Sequence, residues 1–230
     1  MKRGRPSALI SWSSGKDSAW GLHEVQRREM ADVVGLLTTV TVDYGRVSMH
    51  GVREEVLAAQ AASAGLPSIP VRIPASCSNA DYERAFLTAI AAARDRGVEQ
   101  IVFGDLFLED IRAYRERLLA GTGMVPIFPL WGRNTGALAR EMLDGGLRAT
   151  VVCVDSERLS PEIAGRDWDL SLLADFPADV DPCGENGEFH TCATDGPMFT
   201  APLALRRGET VTREGFVFAD LLPERPSHEA

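Results

Sequence analysis

The sequence predicts an α/β fold: an open, mostly parallel sheet with helices on both faces and a smaller piece appended at the C-terminal end. Three observations carry this. Short apolar runs alternate with helix-patterned segments through the first half of the chain, the arrangement that forces right-handed crossovers and a parallel sheet. The first of those runs passes through a turn of small residues straight into a helix pattern at Ser13-Ser14-Gly15-Lys16-Asp17-Ser18. After Gly121 the alternation loosens, and two runs near the end, 200–205 and 211–219, read as a hairpin.

Element by element, residues 9–12 read as a strand and 18–30 as a helix, followed by a β-branched strand over 33–40. An Ala-rich helix over 52–64 ends at Gly65, and residues 69–73 form a proline-edged strand. Residues 79–96 carry a helix with Asp81 and Glu83 in its first turn and Gly97 at its end. Residues 100–104 give another buried strand. Pro126 and Pro129 mark 125–130 as an edge strand. A helix over 135–143 stops at Gly145-Gly146, and 150–155 is an apolar strand. The closing hairpin pairs 200–205 with 211–219 around Arg207-Gly208-Glu209, and the tail from Pro223 is expected to fray.

A chain of 230 residues suits one domain with an appendage or two small domains. It can bury roughly 70 % of its unfolded surface without a disulfide or metal staple. Apolar content of 45 % and charged content of 25 % are ordinary for a globular protein. No apolar run reaches the roughly 18 residues of a membrane span, and the run after the basic Met1–Pro6 stretch is too short for a signal peptide. A cytoplasmic location is therefore expected. The formal charge of −9, with no basic block, argues against a nucleic-acid surface. The four cysteines form no C-x-x-C pair. Cys153 reads as core and Cys77 as loop, and the spacing of Cys183, His190 and Cys192 fits no common zinc pattern.

The turn at 13–18 carries the first functional signal. Free N–H groups at a helix start, small residues and one lysine suit the phosphate of a nucleotide. It is not a Walker loop, because Ile10 stands where the first glycine belongs and Asp17 where a magnesium-binding hydroxyl belongs. A Rossmann G-x-G-x-x-G is also absent. The same run would equally serve as an N-cap opening an ordinary helix. Ser14 costs little there provided its backbone avoids positive φ.

Further signals lie at expected strand ends. Gly104 lets the chain pass close to a ligand beyond the sheet, and Asp105 can coordinate magnesium or accept from a ribose or amine. Arg112 and Arg115, three apart on one helical face, can clamp an anion or stay solvated. His50 falls at the same sheet edge, as pocket lining or as a plain loop residue. The loop Asp181-Pro182-Cys183-Gly184-Glu185-Asn186-Gly187-Glu188-Phe189-His190-Thr191 crowds two glutamates and a histidine among glycines. Glu185 and Glu188 could hold magnesium or act as general base toward an amine, and His190 could shuttle a proton. A solvated acidic turn is the plainer alternative.

The Ser13–Ser18 turn resembles the S-G-G-K-D-S loop of the N-type ATP pyrophosphatases, with Ser14 in place of the first glycine. Taken with Gly104-Asp105, Pro129-Leu130-Trp131 and Gly184–Thr191, the chain from about Leu9 to Phe199 resembles the diphthine–ammonia ligase family. That resemblance implies an adenine nucleotide α-hydrolase-like sheet of Rossmann-type layering over 7–122, a C-terminal α+β subdomain over 123–222 and a flexible tail over 223–230. It implies ATP-dependent amide formation, with a carboxylate activated as an acyl-adenylate and ammonia as nucleophile. Ser11, Ser13, Ser14, Gly15, Lys16, Asp17 and Ser18 would hold the phosphates, with His50, Gly104, Arg112 and Arg115 around the nucleotide. Asp17 and Asp105 would lie near Mg2+. Lys16, Asp105, Glu185, Glu188 and His190 would carry the chemistry on an acceptor that includes protein side chains among its candidates. Phe189-His190 departs from many family ligases, which bears on the acceptor. A non-catalytic protein that binds or senses ATP or AMP is the alternative, and it has no need of the glutamate loop. Sulfur transfer to tRNA would want a cysteine pair and a basic surface, and the sequence has neither. The edge strand and the hairpin are candidate sites of homo-oligomer contact.

Overall fold

In the computed structural model, which describes residues 4–224, ten strands and six α-helices build two sheets. The first sheet uses β1 (Ser7–Ser11), β2 (Asp32–Thr41), β3 (Arg46–Val47), β4 (Ser68–Ile73), β5 (Gln100–Val102) and β6 (Val125–Ile127). Between them run α1 (Lys16–Arg27), α2 (Glu54–Ala64), α3 (Asn79–Arg94) and α4 (Glu109–Leu119). β1 lies between β2 and β5, β4 pairs with β2, and β6 pairs with β5, all parallel. Only the two-residue β3 runs antiparallel, at the end of β2. Chain order therefore reverses at β1, and the crevice between the carboxyl ends of β1 and β5 is the topological switch point of an open α/β sheet.

Burial explains the unbroken apolar runs. Ala8, Leu9 and Ile10 of β1 are all at most 1 % exposed, because helices cover both faces. Ala8 and Ile10 join one core with Leu22, Val25, Val56 and Leu57 of α1 and α2. Leu9 faces the other way, into a core with Phe86 and Ile90 of α3. β6 sits at the sheet edge, where Pro126 costs no ladder bond. That sheet therefore runs past residue 122.

The second sheet is antiparallel, in the order β8 (Phe189–Asp195), β7 (Arg148–Asp155), β10 (Phe216–Pro223), β9 (Leu205–Arg213). α5 (Thr135–Asp144) leads into it and α6 (Leu170–Asp175) follows β7. The final hairpin turns at Glu214-Gly215, not at Arg207-Gly208-Glu209. Both turn residues have positive φ (50° and 85°) and Arg213 pairs with Phe216, the geometry of a two-residue turn matched to strand twist. Gly208 instead lies inside β9, whose pairing with β10 shifts register between Ala219 and Leu221. Residue 223 ends β10, and 225–230 lie outside the described residues, as does the start of the basic N-terminal stretch. Residues 189–191, expected in a loop, belong to β8. Among the described residues no helix is long and apolar enough to cross a membrane.

Candidate active site

At the switch point lies a cavity of about 690 Å³, walled by the turn after β1, the segment after β5, the loop before α2, the start of α3 and the front of β8. How the turn is built explains why it can take an anion. α3 and α5 are capped by side chains, Ser78 accepting from Asp81 N and Asn134 from Ala137 N. α1 has Gly15 at its N-cap and no side-chain cap. The first-turn N–H groups thus keep their positive end toward the cavity, apart from Lys16 N, which donates to Thr191 Oγ1 at 3.1 Å. A Cβ on Gly104 would stand 2.9–3.0 Å from the backbone of Asp17 and Ser18. Its lack of a side chain serves the contact between the β5 segment and the start of α1, where the sequence suggested ligand approach.

Lys16 is not a free point charge. Its side chain is 2 % exposed, runs between the rings of Trp168 and Phe189, and ends on Asp17 Oδ2 at 2.8 Å and on the carbonyl of Cys183. Burial works against its ammonium, but the nearby Asp17, with Cys183 and Glu185, outweighs that and holds its pKa above the ordinary lysine value. It stays charged at the cavity wall.

Three carboxylates share this region. Burial raises Asp17, with Asp181 adding to the rise and Lys16 opposing it. Burial also raises Asp105, and Arg115 opposes it from 3.7 Å. Glu185 accepts from Leu106 N at 2.7 Å. Desolvation, with repulsion from Asp17 and Asp105, lifts Glu185 to about 7. Asp17 Oδ1, Asp105 Oδ2 and Arg115 Nε are buried without a hydrogen-bond partner among the described residues, so the polar capacity of the site exceeds what those residues use. His50 and His190 stack at 4.6 Å. His50 Nδ1 lies 3.0 Å from Thr191 O, and a carbonyl only accepts, so Nδ1 carries the proton and Nε2 a lone pair. Burial and the neighbouring His190 hold His50 well below 6.5, and burial with the Lys16 charge lowers His190 to about 4. Both rings are neutral at physiological pH.

Two family models account for nearly the whole chain: the diphthamide synthase N-terminal domain matches residues 6–126, and the diphthamide synthase C-terminal domain matches residues 134–220. The chain belongs to the diphthamide synthase family. Curated relatives named diphthine–ammonia ligase are similar to it. The Danio rerio protein is 29 % identical over 128 residues, 53 % of this chain and 50 % of that one. The Bos taurus protein is 29 % identical over 129 residues, 53 % of this chain and 48 % of that one. The Mus musculus protein is 23 % identical over 155 residues, 64 % of this chain and 57 % of that one. The chain spans about half the length of the curated relatives it matches.

In this diphthamide synthase family member, Ser11, Ser13, Lys16, Asp17 and Ser18 line the cavity, joined from elsewhere by His50, Gly104, Asp105, Arg115, Glu185 and His190. Four residues singled out from the sequence do not line it. Ser14 is fully buried behind the turn at φ 70°, the left-handed conformation in which a serine is strained. Gly15 is packed against the His50 ring, 2.7 Å from where a Cβ would stand. Arg112 turns outward to Glu116 at 2.8 Å and stacks on Phe128 and Trp131. Arg115, three residues on, turns inward over Phe103. Glu188 is 1 % exposed, and its Oε1 accepts from Asp181 N and Asn186 Nδ2, which holds the 181–188 loop in shape.

Sequence reading gave no role of their own to Thr191, Tyr82 and Tyr114. Thr191 anchors Lys16 N, and the two tyrosines face the cavity from α3 and α4. Thr191 stood inside a motif already flagged. The tyrosines had no local signal, because only the fold brings α3 and α4 to the same wall. Among the described residues no group of three or more His, Cys, Asp or Glu side chains is set to hold a metal alone. The two orphaned carboxylate oxygens still fit Mg2+ shared with phosphate oxygens, since this ion is commonly held by one or two carboxylates plus a substrate's phosphates.

Proposed function

We propose that this chain is an ATP-dependent, amide-forming ligase of the diphthine–ammonia ligase type, taking ATP, ammonia and a carboxylate acceptor. The observation that carries the reading is the pairing, across one cavity, of an uncapped helix start bearing Lys16 with the carboxyl of Glu185 held near neutrality. A carboxylate oxygen of the acceptor attacks the α-phosphorus of ATP. The bond from that phosphorus to the α–β bridging oxygen breaks, and pyrophosphate leaves into the turn of residues 13–18. The turn's N–H groups and the fixed Lys16 charge favour the departing anion, a contribution of about 3–4 kcal/mol per well-placed donor in comparable sites. Asp17 and Asp105 would hold Mg2+, which when bound offsets phosphate charge.

Ammonia then attacks the acyl carbon, the bond to the AMP oxygen breaks, and the amide forms. The nitrogen must lose a proton in this step, and Glu185, poised at about 7, is the group suited to take it. The neutral rings of His50 and His190 serve as hydrogen-bonding partners there and not as imidazolium acids. Family relationship supports the reading, and diphthine, named in the relatives, is the first acceptor to try. We also propose that residues 7–122 supply most of the nucleotide site and 123–222 the loop that faces the acceptor.

The test is to incubate the chain with MgATP, ammonium and a panel of carboxylates, diphthine included, and to identify the nucleotide product. AMP with pyrophosphate is the expected result, with steady turnover lost in Glu185→Gln. ADP would overturn the chemistry. Tight binding of ATP with no product from any acceptor would favour a sensor.

A further inference from the structure

Gln60 does not line the cavity, yet three elements meet at its side chain. It sits in α2 with no exposure to solvent. A buried primary amide has two donor hydrogens and an acceptor oxygen to satisfy. Its Oε1 accepts from Trp12 Nε1 at 3.0 Å, and its Nε2 donates to Ser14 O at 3.0 Å and to Ala193 O at 2.8 Å. An indole N–H can only donate, so the orientation of the amide is fixed. Ser14 O accepts a second bond, from Ala193 N at 2.8 Å.

Ser14 needs such support. It holds φ 70° with a Cβ, fully buried, and its hydroxyl has no partner among the described residues. What keeps the turn in that conformation is attached to its carbonyl. In a trans peptide the C=O and N–H point in opposite directions. Tethering the Ser14 oxygen on the α2–β8 side therefore turns the Gly15 N–H the other way, toward Ser13 Oγ at 3.3 Å on the cavity wall.

We infer that Gln60 is a positioning residue for the anion-binding turn: from behind, without touching the nucleotide, it holds the Ser14 carbonyl away from the phosphates so that the N–H groups face them. The inference rests on the phosphate-site reading given above. It differs from simple packing in one respect. Glycine enters the left-handed region freely, so a turn with glycine at 14 needs less holding, and Ser14→Gly should relieve a defect at position 60.

The experiment is calorimetric titration of ATP and, separately, of inorganic pyrophosphate into the native chain, Gln60→Met, Ser14→Gly and the double variant. All are measured well below their melting temperatures. Gln60→Met is expected to keep its circular dichroism and cooperative melting but to bind both ligands at least about tenfold more weakly, about 1.4 kcal/mol. The double variant should recover most of that loss. Native-like affinity in Gln60→Met overturns the inference, and so does a loss that Ser14→Gly leaves untouched. Should Gln60→Met not fold, Gln60→Glu, of the same shape, carries the test. Ionised, it offers Ser14 no donor; protonated, it offers one. Its affinity relative to the native chain should fall as pH rises, and a pH-independent ratio overturns the inference. A native chain that binds neither ligand removes the phosphate-site reading, and this inference with it.

Discussion

Glu185→Gln should make the protein more stable and less active, and the stability gain should depend on pH in a way that identifies its cause. Burial, with repulsion from Asp17 and Asp105, raises the carboxyl from 4.5 to about 7. A folded chain that holds this proton more tightly than the unfolded chain gains stability below 4.5. It loses that contribution as pH rises toward 7, because the unfolded state releases the proton first. A tenfold difference in proton affinity between the folded and unfolded chains is worth about 1.36 kcal/mol, so the full cost of ionised Glu185 above pH 7 is bounded at about 3 kcal/mol. Water in the cavity screens it, and half of that bound is the working figure. Glutamine keeps the acceptor for Leu106 N and removes the charge. For a chain of this size about 1.5 kcal/mol corresponds to roughly 3–6 °C in Tm.

The assay is thermal melting of native and Glu185→Gln protein side by side from pH 4.5 to 8.5, with turnover measured on the same samples. The variant should melt higher at pH 8 and converge on the native chain near pH 4.5. Titrating groups that do not interact with Glu185 cancel in the difference. Native turnover should rise with pH through about 7, as a base requires, and the variant should lack both the rise and most of the rate. A melting difference that stays constant across the range would refute the placement of a repelled, buried carboxylate here. A variant with native turnover would remove Glu185 from the proton transfer.

The remaining expectations follow from the same wall of the cavity. Lys16→Met should cut the rate of AMP formation by about a hundredfold or more. It should also lower the melting temperature, since breaking a buried ion pair costs about 3–5 kcal/mol; unchanged stability would contradict the Asp17 and Cys183 contacts. Gly104→Ala should cost about 1–3 kcal/mol through overpacking against the Asp17 backbone and weaken nucleotide binding with it, read by denaturant melts and ATP titration. Arg115→Ala should weaken ATP binding several-fold while Arg112→Ala leaves it unchanged. Equal effects would mean that the inward and outward settings of the two arginines are not those described.

Much of the first sheet was legible because its central strands are buried on both faces and read as unbroken apolar runs. The edge position of β6 followed from its prolines alone. The hairpin turn was misplaced because Arg207-Gly208-Glu209 sets a glycine beside charged residues, and so does Arg213-Glu214-Gly215. Local composition does not separate them; strand register does, and register depends on which residues of β10 face inward, namely Val217, Ala219 and Leu221. Inside the glutamate-rich segment the two acids looked alike, yet one faces the cavity and the other braces the loop. Gly184, at φ 68°, and Gly187, at φ 86°, fold the segment back on itself, so neighbours three apart end on opposite sides.

Residues that shape the turn from behind were the least legible, and the reason is physical. Lys16, Asp17 and Ser18 advertise themselves because a phosphate site needs charge, small size and free N–H groups in consecutive positions. Gln60, Thr191 and Ala193 each make one hydrogen bond to the turn's backbone, 46 to 179 residues away in sequence. Any residue with a correctly placed donor or acceptor would satisfy such a bond, so composition carries no trace of it. Ser14 shows the consequence. By sequence it is a small residue in a small-residue turn, tolerable wherever φ is negative. In the folded chain it stands at φ 70°, a conformation the local sequence does not favour, because Gln60 and β8 hold its carbonyl from two sides. The turn proposed to hold the phosphates is thus written in residues 13–18. The contacts that keep the turn in shape are written in α2 and in the second sheet, which meets the first at Ser14 and Lys16.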